Sequence, residues 1–406
     1  MNEMKLLNTN FLFFVAGWEL SMIGDALLRF ALPLYLLLST GNAALMGTLL
    51  AWAAVPGILV MPFGGILADR FSKRTLMVGT NLLIGLATLA YGILSGSHSG
   101  YFLTATVLLG LFTLEGILTP AAEAAVPILV PKDQLVTANS ITFLLTIFSS
   151  VGAPILAGFM LERIGLSSII WLSFILFILA ALIKSLARIP ISKDITTTHF
   201  LKTAKSEFRI GIKLIFKDKP THGRLIMVTS LSSLLVAPIM SVALSVLVSG
   251  HFNRSESVVG LAQGLVVLGG TFGLVLLSIL GKKATIHLIQ PLLFILTSLL
   301  FLTALSLEAL SIQESFFVTI GIFFLILSFM TILAILTWSY LGENTDETML
   351  GKVMALNGAL VALGVAIGNS LYGFLFEHFA ASRAMAFVTL GIGCLLLSIF
   401  GRIEKD

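Results

Sequence analysis

Charged side chains are scarce in this chain, and those that interrupt its apolar runs are the ones able to do chemistry. Glu19, Asp25 and Arg29 fall in the first run, and Glu115 and Glu123 in the fourth. In a membrane helix an ionisable residue near the centre costs about 2.5–3.5 kcal/mol on insertion scales, so function is the default reading. At about 100° per residue, Asp25 and Arg29 stand about 40° apart, and the three charges of the first run fall within about 120°, making one helix face polar. Their i, i+4 spacing permits an ion pair. As structure, the pair neutralises two buried charges. As mechanism, a carboxylate that exchanges a proton for an arginine or a cationic substrate couples proton entry to release of cargo. Glu115 has no basic neighbour in sequence and is a second candidate proton site. Glu123, nearer the end of its run, reads either as a solvated carboxylate or as part of an inner gate.

Other chemistries find no footing. The sequence holds no phosphate-binding P-loop pattern, and His98, His199, His222, His251, His287 and His378 are scattered without metal-ligand spacing. Cys394 is single, so neither a disulfide nor a cysteine metal cluster organises the chain. No enzyme activity, cofactor or metal is expected, and an ion gradient, of protons or sodium, has to drive any transport.

The elements that position these residues follow from composition. The chain has 406 residues, 57% hydrophobic and only 11% charged, with mean hydropathy +1.06. No water-soluble domain hides that much apolar surface. In hydrocarbon every backbone polar group must be satisfied internally, which leaves helices or closed barrels, and the apolar-polar alternation of a barrel is missing. The apolar runs are each near the ~20 residues of a spanning helix. They read as twelve spans at about 11–38, 44–67, 75–95, 101–130, 138–161, 167–187, 223–250, 257–281, 284–307, 315–341, 353–377 and 382–402. The first run is too long for a secretory signal and lacks a small-residue cleavage site, so it is expected to remain in the mature protein.

Lys and Arg orient the spans, because short loops rich in them stay cytoplasmic. With both termini inside, Lys5, Arg70, Lys73, Arg74, Lys132, Lys282, Lys283, Lys352, Arg402 and Lys405 share one side with the cations of the central segment, Lys184 included. Arg163, Arg254 and Arg383 face out. The basic excess reads as topology and attraction to anionic lipid headgroups rather than as nucleic-acid binding. Residues 190–222 form the one long polar interval, a basic linker between six-span halves at 1–189 and 223–406, within which Phe208 to Phe216 suits a short amphipathic helix on the inner membrane surface. Gly152-Ala153-Pro154 with Gly158 before Phe159 matches Gly368-Asn369 with Gly373 before Phe374, a trace of repetition. Parallel repeats of this kind place a substrate site near the midplane between the halves and suit alternating access.

Between spans two and three the sequence runs Gly65-Ile66-Leu67-Ala68-Asp69-Arg70-Phe71-Ser72-Lys73-Arg74. Here the chain resembles the major facilitator superfamily, whose signature loop reads Gly, three residues, Asp, Arg or Lys, any residue, Gly, then two cations. It departs at the second glycine, which is Ser72. The resemblance implies an all-α membrane fold of twelve helices in two pseudo-symmetric halves. It also implies that Gly65, Asp69, Arg70, Lys73 and Arg74 form a latch joining the inner ends of helices 2 and 11 in the outward-open state. A carboxylate at such a helix end also suits the positive N-terminus of a neighbouring helix, whereas a merely topogenic basic loop needs no Asp69. The second-half loop Gly281-Lys282-Lys283 lacks the aspartate, so the latch is expected to be asymmetric.

Gly24-Asp25, Pro120, the Val130-Pro131 exit and the Ala138-Asn139-Ser140 entry to helix 5 are similar to the drug-efflux branch that includes macrolide exporters, and siderophore exporters and lysophospholipid transporters share much of this pattern. Gly152, Pro154 and Gly158 resemble that superfamily's antiporter motif with one early glycine missing; as bare residue types they serve equally as packing and kink residues. Efflux members often carry an arginine in helix 4, and none is present here. The resemblance implies a proton-coupled exporter of hydrophobic or amphipathic small molecules, a monomer in contact with membrane lipids, in a bacterial cytoplasmic membrane. A lysophospholipid flippase or siderophore exporter on the same fold is the alternative, with a non-transporting sensor third. Gln263, Asn357 and Asn369 supply neutral hydrogen bonding in the second half, either to substrate or between helices.

Overall fold

The computed structural model describes residues 8–95, 101–189 and 220–401. Of the expected linker 190–222, residues 190–219, including the amphipathic stretch from Phe208 to Phe216, lie outside the described residues, while 220–222 begin a helix; Lys5, His98, His199, Arg402 and Lys405 also lie outside, as do the surroundings of Gly65, Asp69, Arg70 and Lys282.

Twelve helices among the described residues are long and apolar enough to cross a membrane. They are α1 (Thr9–Thr40), α2 (Ala43–Arg70), α3 (Lys73–Ser95), α4 (Tyr101–Glu123), α5 (Leu135–Arg163) and α6 (Leu166–Leu186). After the linker come α7 (Pro220–Val236), α8 (Glu256–Leu280), α9 (Ile289–Ala309), α10 (Ile312–Glu343), α11 (Glu347–His378) and α12 (Arg383–Phe400). No strand interrupts them among the described residues. Large apolar side chains such as Trp52, Phe102, Phe148, Phe317 and Phe374 are exposed, a surface that lipid, unlike water, does not penalise.

The seventh span is not one helix. Pro238 lacks the amide that would continue the ladder, α7 stops at Val236, and the chain goes on through π-helical segments at Ile239–Ala243 and Val246–His251. Wide π turns of this kind recur at functional sites. The second span, in contrast, runs further than its apolar pattern: α2 stays helical through Asp69 and Arg70, and Phe71-Ser72 alone separates it from α3.

Contacts divide the chain into two units. The first holds α1, α2 from Trp52 on, α3 to α6, and α8 as far as Gly264. Here α1 packs on α6 through Gly24 against Phe177, and a buried hydrogen bond of 2.9 Å from Ser21 Oγ to Asn81 Oδ1 ties it to α3. The second unit holds the start of α2 to Ala51, α7, the rest of α8, and α9 to α12. In it α11 lies on α7, where Tyr372 donates to the Leu235 carbonyl at 2.6 Å and Ser241 donates to Asn369 Oδ1 at 2.5 Å.

Candidate proton and substrate site

Arg29 is the hub of the one ion-pair cluster among the described residues. Its Nε donates to Asp25 Oδ2 at 2.5 Å, one turn back on α1, and its Nη2 donates to Glu115 Oε2 on α4. The guanidinium carbon lies 3.6 Å from the centroid of Phe112, a cation–π contact one turn before Glu115. Close packing of α2 on α4 sets this face. A Cβ at Gly57 would meet the Phe112 carbonyl oxygen at 2.5 Å, and one at Gly116 would meet the Gly57 carbonyl oxygen at 2.8 Å. Glycine at both positions lets the backbones touch and fixes the turn that carries Phe112 and Glu115.

Two carboxylates share one guanidinium, so the cluster carries one uncompensated negative charge when both acids are ionised. A proton, or a cationic ligand, restores neutrality. Access is graded: the side chains of Asp25, Arg29 and Glu115 are 12%, 22% and 33% exposed. A proton arriving at Glu115 is therefore one guanidinium away from a less exposed partner.

The polar face of α1 divides. Glu19 turns to α5, where its Oε1 accepts from Ser149 Oγ and its Oε2 is buried without a partner among the described residues. Glu123 ends α4 exposed, with no ion pair there. Sequence reasoning placed Lys184 with the inner-loop cations, yet the structure buries it completely in α6. Its Nζ lies 5.4 Å from the Trp18 ring and has no hydrogen-bond partner among the described residues. Because the apolar run extends to 187, the position was legible as intramembrane; snorkelling along its own stem was the competing expectation.

At the signature loop, Ser72 takes up helix capping where the superfamily pattern has glycine. Its Oγ accepts the Thr75 amide at 3.4 Å at the start of α3. Lys73 is buried and Arg74 exposed. In α5, Gly158 packs its backbone on α8 at Glu256 and Gly260, and Gly260 packs on the Pro154 carbonyl; Gly152 meets nothing within 4 Å. The second unit repeats the device, with Gly373 of α11 against Ala43 and Gly47 at the start of α2. Asn369 joins Ser241, and Asn357 is buried with its Oδ1 unpartnered among the described residues. His222 sits on Thr345 at 3.2 Å, and no group of three His, Cys, Asp or Glu residues able to hold a metal occurs among the described residues.

Twelve helices, with a charged cluster on the first and fourth, define a polytopic membrane carrier. The family model described as Major Facilitator Superfamily matches residues 14–369, and the chain belongs to that family. Macrolide efflux protein A of Streptococcus pyogenes is 24% identical over 406 residues, covering 96% of each chain. Enterobactin exporter EntS of Escherichia coli O1:K1 / APEC is 29% identical over 401 residues, covering 95% of this chain and 90% of that one. Among solved structures, the nucleoside transporter NupG matches with TM-score 0.76 at 10% identity, over 97% of this chain and 99% of that one. A bacterial homologue of the iron transporter ferroportin, inward-facing, matches with TM-score 0.72 at 18% identity, over the same shares. At these identities the structures establish the shared fold. The protein is a transporter and not an enzyme.

Proposed function

We propose that the protein is a proton-coupled exporter of hydrophobic or amphipathic small molecules, working by alternating access of its six-helix halves in a bacterial cytoplasmic membrane with both termini inside. The observation that carries this reading is the sharing of Arg29 between Asp25 and Glu115. In the cycle, a proton on one carboxylate releases its hold on Arg29, and the guanidinium swings fully to the other. Loss of the proton restores the shared state, whose net negative charge recruits a cationic or amphipathic cargo. Arg29 is the counter-charge that keeps the unloaded cluster tolerable in a low dielectric. Glu19 and Glu123 border the path, and Asp69 with Arg70, Lys73 and Arg74 latches the outward-open state. The Gly158 and Pro154 contact with α8 is a rigid crossing about which the helix 5 motif supports antiport.

Similarity to macrolide efflux protein A supports drug export, and similarity to enterobactin exporters supports a second reading, export of a siderophore-like molecule. A lysophospholipid flippase uses the same fold. The test is proton movement in proteoliposomes under an imposed pH gradient, with macrolides, lipophilic cations, enterobactin as the siderophore and lysolipids added in turn. Dissipation by drugs establishes the first reading; dissipation by the siderophore alone establishes the second. Lysolipid movement with no proton signal from any compound contradicts both.

A further inference from the structure

The second unit contains a polar cavity of about 310 Å³ where the ends of α9 and α12 meet the π-helical turn after Val246. Gly250, His251, Glu308, Ser382 and Arg383 line it. Its charge is arranged unequally. Ser382 Oγ donates to Glu308 Oε1 at 2.6 Å, which fixes the orientation of the one carboxylate but leaves its charge in place. Arg383 forms no ion pair among the described residues, and its Nε is buried without a hydrogen-bond partner there. The forked end of the guanidinium lies against Gly250, where a Cβ would sit 3.1 Å from Nη2 and 3.3 Å from Nη1. Glycine therefore makes the room that the fork occupies. A buried guanidinium N–H left unpaired is costly, and its natural complement is an oxygen acceptor of a phosphate or carboxylate.

We infer that this cavity is an oxyanion-binding site, separate from the transport cluster, that takes a phosphate-type group on Arg383 with His251 as second donor. A metal cation is disfavoured, because Arg383 repels it and Glu308 is the sole carboxylate in the lining. Two sources share the chemistry, a phospholipid headgroup and soluble phosphate. The cavity lies at helix ends, and Arg383 is on the side that the distribution of Lys and Arg places outside.

His251 gives the site a pH signature. Burial first, and then the nearby Arg383, hold its imidazole below the usual range, with Glu308 opposing in part; the Phe252 ring packs against it at 4.9 Å. These surroundings thus favour the neutral ring. A bound anion favours the imidazolium, so affinity rises as pH falls.

The experiment uses purified full-length protein in nanodiscs and reads thermal stabilisation at constant ionic strength. One arm titrates inorganic phosphate in discs of phosphatidylcholine; the other replaces part of that lipid with phosphatidylglycerol. Stabilisation of the wild type by at least one probe is expected, with apparent affinity reduced about tenfold or more in Arg383→Gln. Gly250→Ala, which keeps the charge but crowds the guanidinium, is expected to weaken it several-fold, and it stands in if Arg383→Gln does not fold. His251→Gln is expected to flatten the pH dependence. A response to phosphate alone assigns a soluble ligand, and a response to phosphatidylglycerol alone assigns a headgroup. If the wild type responds to neither, or if Arg383→Gln and Gly250→Ala respond like the wild type, the site does not exist.

Discussion

At the scale of single residues, the account rests on what Arg29 does that no other cation could. Its planar fork reaches Asp25 through Nε and Glu115 through Nη2 while its face lies on Phe112; a lysine ammonium offers neither a fork nor a stacking face. Arg29→Lys is therefore expected to keep the protein folded yet cut transport by about tenfold or more, measured as initial uptake rates in inverted vesicles at matched protein levels. Lys184 makes the opposite prediction. Its ammonium position is fully buried and unpartnered among the described residues, so Lys184→Met removes a polar group that costs about 1–3 kcal/mol to bury and keeps an apolar stem against Gly17, on which the Lys184 side chain packs. Thermal stability in detergent is expected to hold or rise; a clear fall would mean that the amine is paired in the folded protein. The sequence exposed Asp25 with Arg29 through their spacing, whereas the meeting of Arg29 with Glu115 spans 86 positions and depends on how α4 is pressed against α2 at Gly57 and Gly116. No local pattern encodes that rotation.

At the scale of elements, the apolar runs located all twelve helices, because a bilayer imposes both length and hydrophobicity on each one. What the runs did not reveal was where a helix changes character. Pro238 was visible, but the π geometry on both sides of Leu244, and the packing of Ser241 on Asn369 and of Pro238 on Gly368 beside the first of these turns, are features that hydropathy does not report. Helix 5 is the clearest element-scale test. Gly158 was readable either as an antiporter motif or as a packing residue, and the structure supplies the packing: its backbone lies directly on α8. Gly158→Val should therefore destabilise by about 1–3 kcal/mol through overpacking, seen as a lower melting temperature. Wild-type stability in that variant would mean that the crossing tolerates separation, and the motif would then have to act through something other than contact.

At the scale of the whole molecule, twelve helices and the superfamily match define a carrier, and the direction and driving force of transport rest on the proposed coupling. The signature loop links the scales. α2 continues as helix to Arg70 and Ser72 caps α3, so Asp69 is presented from a helix end and not from a slack loop. Asp69→Asn is expected to leave substrate binding unchanged while slowing turnover several-fold, read by comparing equilibrium binding in detergent with transport in proteoliposomes. Equal loss of both would make the residue part of the fold and not a latch. The sequence divides the apolar runs equally at a basic interval, whereas the contact units take the first turns of α2 and of α8 with other helices, where glycine contacts such as Gly47 with Gly373 escape a hydropathy pattern.

The central claim is that a proton and the cargo compete for one charged cluster. The direct measurement is proton release on substrate addition to the purified protein in weakly buffered detergent solution, for the wild type, Asp25→Asn, Glu115→Gln and the double variant. The account predicts release by the wild type, altered pH dependence in Glu115→Gln, and none in Asp25→Asn or the double variant, with all four proteins still folded. Undiminished release by the double variant would contradict it.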